Sequence, residues 1–87
     1  MLELITAGQV RASRALVGID QRQLAKAAGL SLPTIQRMEA SEGVIRGNVD
    51  SLMKLVAALD AFGIELISDN AMSQSGGRGV RFKRVPT

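Results

Sequence analysis

The stretch Gly18 to Glu39 constrains this chain most, because it packs two helix starts and one obligatory turn into very few residues. Asp20 stands three residues before Gln23, a capping-box spacing in which the carboxylate satisfies an orphan N–H and the amide reaches back. A short helix therefore opens near Gln21, carries Leu24, Ala25 and Ala28 on one face, and meets Gly29, the residue best suited to a left-handed helix end. Only Leu30 and Ser31 separate that stop from the next start. Ser31 suits an N-cap and Pro33 falls in the first turn, where its missing N–H has no intrahelical partner. The next helix runs from about Leu32 to Glu39 with Ile35 and Met38 inward.

The flanks supply what such a pair needs to bury. Thr6 to Leu16 reads as a preceding helix, with Ala7, Val10, Ala15 and Leu16 interleaved with Gln9, Arg11 and Arg14 and a stop near Gly18. Residues 40–47 read as a loop with two glycines. Asn48 caps a further helix whose Leu52, Leu55, Val56, Leu59 and Phe62 recur at the spacing of a buried stripe, ended by Gly63. The period then changes from 3.6 to 2. Ile64 and Leu66 flank Glu65, and Val80 and Phe82 alternate with Arg81 and Lys83, across a polar, Gly-rich stretch from Ser68 to Gly79. These are two strands of a hairpin, or strands that pair with another chain. A lone hairpin is marginal in water, so they should pack on the helices or extend a partner's sheet.

Composition removes most chemistry. With 87 residues, 46% of them hydrophobic, the chain makes one small domain. It has no histidine and no cysteine, which excludes the usual zinc sites, disulfides, thiol chemistry and imidazole acid–base catalysis; neither metal nor cofactor is expected. Asp60 and Glu65 have no acid or base partner in the pattern, so an enzyme is not expected. With Phe62 and Phe82 the only aromatics, no set of rings exists on which single-stranded bases could stack. Charge is uneven: residues 1–69 hold seven cations against eight acids, while Arg78, Arg81, Lys83 and Arg84 face none in the remainder. The C-terminus thus suggests a polyanion partner and the rest permits one. The amino terminus lacks a basic leader region, and Leu55 to Leu59 is too short an apolar run for a membrane span, so the cytoplasm is the expected compartment and no membrane contact is expected. Gly76, Gly77 and Gly79 form no phosphate loop, since no Walker lysine and hydroxyl and no helix follow them.

Two short helices joined by a Gly-containing turn form a helix-turn-helix, in which the second helix lies in the major groove while the first crosses the backbone. The segment resembles the Cro/cI-type (XRE) family in Val10, Arg11, Arg14, Gly18, Gln21, Leu24, Ala25, Gly29, Ser31, Thr34, Ile35 and Glu39, over about residues 6–62. It departs at Asp20, where the family often has Ser or Thr, and at Ser13, where a larger core residue is common.

The resemblance implies a mainly α, lambda-repressor-like domain of four or five helices over residues 1–63, with residues 64–87 as an appended β-hairpin and basic tail. It further implies sequence-specific binding of double-stranded DNA by a two-fold dimer at an inverted repeat, and repression or autoregulation of a small operon or mobile element. Carried residue by residue, Gln21 touches a phosphate and supports the recognition helix, Thr34 contacts a phosphate, and Leu32, Pro33, Gln36 and Arg37 face the groove. A guanidinium such as that of Arg37 can meet guanine O6 and N7 together, whereas Leu32 and Pro33 can read only thymine methyls or shape.

Alternatives stay open at several positions. Arg11, Arg14, Arg22 and Lys26 read as solvated helix charges, with Arg11 or Arg14 able to pair with Glu39 and Arg22 able to meet a phosphate; Arg46 faces either phosphate or solvent. The C-terminal strands provide a solubilising edge, an extra DNA arm, or a dimer element with Ile64, Leu66, Val80 and Phe82 on its buried side. A rival of a different class is the antitoxin of a toxin–antitoxin pair, with the strands and tail holding a protein partner.

Overall fold

A computed structural model describes residues 5–68 and 77–83. Four helices, α1 (Ala7–Val17), α2 (Gln21–Ala28), α3 (Leu32–Ala40) and α4 (Val49–Ala61), precede strands β1 (Ile64–Ile67) and β2 (Gly79–Phe82). Each helix start has the local chemistry to hold it. The side chains of Thr6, Asp20, Ser31 and Asn48 accept from the backbone N–H groups of Gln9, Gln23, Thr34 and Ser51, and the boxes at Thr6 and Asp20 are reciprocal.

The core joins all four helices and β1: Val10, Leu24, Ile35, Met38, Leu55, Leu59 and Ile64 are each at most 2% exposed. Burial of a large apolar side chain stabilises by roughly 1.5–3 kcal/mol, so these positions carry most of the fold's cohesion. The expected stripe of α4 is buried at Leu52, Leu55 and Leu59 and half-buried at Val56 and Phe62. Val56 is half-buried, because α4 turns Leu52, Leu55, Ala58 and Leu59 inward and leaves Val56 at the margin of that stripe. Leu16 is 43% exposed, since α1 buries Ala7, Gln9, Val10 and Ser13 instead. Small Ser13 is accommodated by donating its hydroxyl hydrogen to the Gln9 carbonyl at 2.7 Å.

The loop from 41 to 48 is pinned to the segment before α1. Thr6 and Val44 form an antiparallel bridge, Ala7 N–H donates to Gly43 O at 2.9 Å, and Ile45 N–H donates to Ile5 O at 3.0 Å. Ile5 and Ile45 fill the core beneath it at 0% and 3% exposure.

The two strands pair with each other, antiparallel, with Ile64 opposite Phe82 and Leu66 opposite Val80. The hairpin lies against α1 and α4. Gln9, 4% exposed, fastens it: its amide nitrogen donates to Ile67 O at 3.1 Å and Gly79 O at 2.9 Å, while its amide oxygen accepts from Thr6 N–H at 2.9 Å. Of the four residues assigned to a dimer face, Ile64 lies in the chain's own core, Leu66 and Val80 are half-buried against it, and Phe82 is 51% exposed.

Candidate nucleic-acid interface

The turn between α2 and α3 sets the angle at which α3 is presented. Gly29 adopts φ +68°, and the N–H groups of Gly29 and Leu30 return to Lys26 O at 3.3 Å and Ala25 O at 2.9 Å, closing the last carbonyls of α2. Ser31 then caps α3 and shares a 2.8 Å hydroxyl contact with Thr34. Ile35, Met38 and Glu39 point inward, which leaves Pro33, Gln36 and Arg37 exposed and Leu32 and Thr34 half-buried at the margins.

Glu39, only 5% exposed, ties α3 to the two helices before it. The Arg14 guanidinium meets its carboxylate with two prongs, Nε to Oε2 at 2.6 Å and Nη2 to Oε1 at 2.7 Å. The Gln21 amide donates to the same Oε1 at 3.2 Å, and Arg11 Nη1 donates to the Glu39 backbone carbonyl. Both open assignments of Glu39's partner thus apply, Arg14 at the carboxylate and Arg11 at the main chain. The hydrogen bonds that Arg14 donates to the Glu39 carboxylate raise its pKa above the ordinary value, against the lowering effect of burial. Gln21 is thus tied to α3 through Glu39 and is itself half-buried.

On the opposite margin of α3 a groove opens towards the start of α4. It is lined by Thr34, Arg37, Met38, Arg46, Gly47, Asn48 and Ser51, two cations and no acid. Arg37 leans along this side, its Nη2 3.4 Å from Thr34 Oγ1. Thr34, Arg37 and Arg46 therefore converge on one groove, Leu32, Pro33 and Gln36 share the adjoining surface of α3, and Gln21 stands apart at the Glu39 cluster. Ser51 was not among the expected groove residues; its position in the first turn of a helix that follows Arg46 is the signal that could have found it. At Gly47, which lines the groove, an added Cβ would sit 3.4 Å from Met38 Cε.

A helix-turn-helix family model matches residues 10–66, which contain α2, the Gly29 turn and α3 with both Glu39 ties from Arg11 and Arg14. The chain belongs to the Cro/cI-type helix-turn-helix family. As a member it is a DNA-binding regulator of transcription, in a family that is regulatory and not enzymatic. No curated protein sequence matches the chain. The family's mainly helical architecture is present with four helices among the described residues and an added C-terminal hairpin. Among those residues no helix is long and apolar enough to cross a membrane.

Proposed function

We propose that this helix-turn-helix protein acts in the cytoplasm as a two-fold dimer that binds an inverted-repeat operator and represses or autoregulates a small operon or mobile element. The observation that carries the reading is the presentation of α3: its outward residues are free of the core, its inner Glu39 is locked to α1 and α2, and a cationic groove runs along its margin. Side chains held on a rigid helix can be laid against base edges in the major groove without the cost of ordering them first.

In this reading Arg37 and Gln36 contact base edges, with Leu32 and Pro33 against thymine methyls or the shape of the groove. Thr34, Arg46 and Gln21 meet phosphates and set the register. Two protomers reach successive major-groove faces about 34 to 36 Å apart.

Selection of bound duplexes from a random pool tests this. Enrichment of an inverted repeat supports the reading. A pool that remains random after repeated selection, with a correctly folded protein, contradicts sequence-specific binding.

A further inference from the structure

Of the α3 residues set towards base edges, Leu32 and Pro33 carry no side-chain donor, so directed base reading falls to Gln36 and Arg37. Where Arg37 points therefore decides much of what the helix reads. An exposed arginine samples many rotamers, and fixing one of them on binding costs affinity. Among the described residues no carboxylate meets the Arg37 guanidinium. The acceptor it does meet is the hydroxyl of Thr34, one turn back on the helix, with Nη2 3.4 Å from Oγ1.

Thr34 is itself held. Its N–H donates to Ser31 Oγ at 3.2 Å, the two hydroxyl oxygens stand 2.8 Å apart, and Ser31 is fixed as the N-cap of α3. A hydroxyl has one proton to give and two lone pairs to fill. With Ser31 and Arg37 both donating to Thr34 Oγ1, the lone pairs are filled and the Thr34 proton is left to turn into the groove shared with Arg46 and Ser51. A phosphate oxygen only accepts, so it takes that proton and sets the direction of the relay from Ser31 to Thr34. A hydroxyl that receives a hydrogen bond from a cation is also the stronger donor for it.

We propose that Thr34 is a positioning residue for Arg37: one hydroxyl grips the DNA backbone and holds the guanidinium that reads the base, so seating on the phosphate aims Arg37. The proposal rests on the reading above, in which Arg37 meets a base and Thr34 a phosphate, and adds that the two contacts are coupled. The tie is long and exposed, so it orients Arg37 without clamping it. It uses a single guanidinium N–H and leaves the others for a base edge.

The test is competition binding of the full chain, at one salt concentration, to its selected duplex and to that duplex changed at each base pair in turn. Arg37→Ala marks the base pair that Arg37 reads. Thr34→Val keeps the branched shape and removes the oxygen. It should reduce discrimination at the marked pair by roughly three- to tenfold. Through the lost phosphate contact it should also weaken every duplex by one common factor. Thr34→Ser keeps the oxygen and should hold discrimination within about twofold of wild type. In the Arg37→Ala background, Thr34→Val should leave discrimination unchanged, because nothing remains to be aimed. A loss of stability scales all duplexes alike and does not move this ratio. Discrimination that survives Thr34→Val overturns the proposal and leaves Arg37 as a base contact. Equal loss with Thr34→Val and Thr34→Ser overturns it as well, since the hydroxyl would then not be the cause. An Arg37→Ala variant that relaxes no base pair removes the base-contact reading itself, and the proposal with it.

Discussion

Arg14 on α1 and Glu39 on α3 are joined by a two-pronged ion pair, with 2.6 and 2.7 Å contacts, that leaves the Glu39 side chain 4% exposed. This pair fixes how far α3 stands from the body of the protein. Removing one partner strands a buried charge, whereas removing both leaves only a packing problem. Arg14→Met should therefore lower unfolding free energy by about 3 kcal/mol, and Glu39→Leu combined with it should recover much of that loss. Urea titration of the two single variants and the double variant measures the coupling. Purely additive losses would mean that the pair does not act as a unit.

A second prediction concerns the turn. Gly29 sits at φ +68° with open space where a Cβ would be, so a substitution meets backbone strain and no clash. Gly29→Ala should cost about 1–2 kcal/mol through the left-handed conformation alone. Thermal melts check this, and a change within error would show that the turn relaxes at no cost.

The hairpin offers a third. Gln9 binds the α1 cap and both strands through its amide, so Gln9→Leu should loosen the strands while leaving the helix-turn-helix in place. Hydrogen exchange reads the difference: amides of Ile64–Ile67 and Gly79–Phe82 should lose protection, and those of Leu24 and Ile35 should keep it. Equal loss in both regions would make Gln9 a general core residue.

What the sequence reveals follows from how local each determinant is. Asp20 with Gln23, Gly29, Ser31 with Pro33 and Asn48 are signals read within a few residues, and α2, α3 and the start of α4 follow from them directly. The choice between Arg11 and Arg14 for Glu39 was open because it depends on the rotation of α1 over α3, a property of packing. The same holds for Val56, one position off the buried stripe, and for Ile5 and Ile45, which are brought together by the pairing of the loop with the segment before α1. Gln9 looks like an ordinary polar helix residue, since its partners lie 58 and 70 positions away. The groove at Arg37 and Arg46 is intermediate: each arginine is visible, and their convergence is created by the loop between α3 and α4.

The DNA face yields a fourth prediction. Arg37→Ala should reduce affinity for the selected site by about 1–3 kcal/mol and relax preference at one base pair, while Arg46→Ala should weaken specific and random duplexes alike and lower the salt slope by about one. Competition binding with single-base variants of the site separates the two roles. Parallel effects of the two variants on every duplex would make Arg37 a phosphate contact as well.

The central claim, sequence-specific recognition through α3, is tested most directly by measuring affinity of the full chain for its selected duplex and for a scrambled duplex of equal length. Both belong at about 50 mM and about 200 mM salt, where phosphate contacts declare themselves by their salt dependence. The account predicts that the selected duplex binds on the order of a thousandfold tighter than the scrambled one and that both weaken as salt rises. Equal affinity for the two duplexes at both salt concentrations would contradict it.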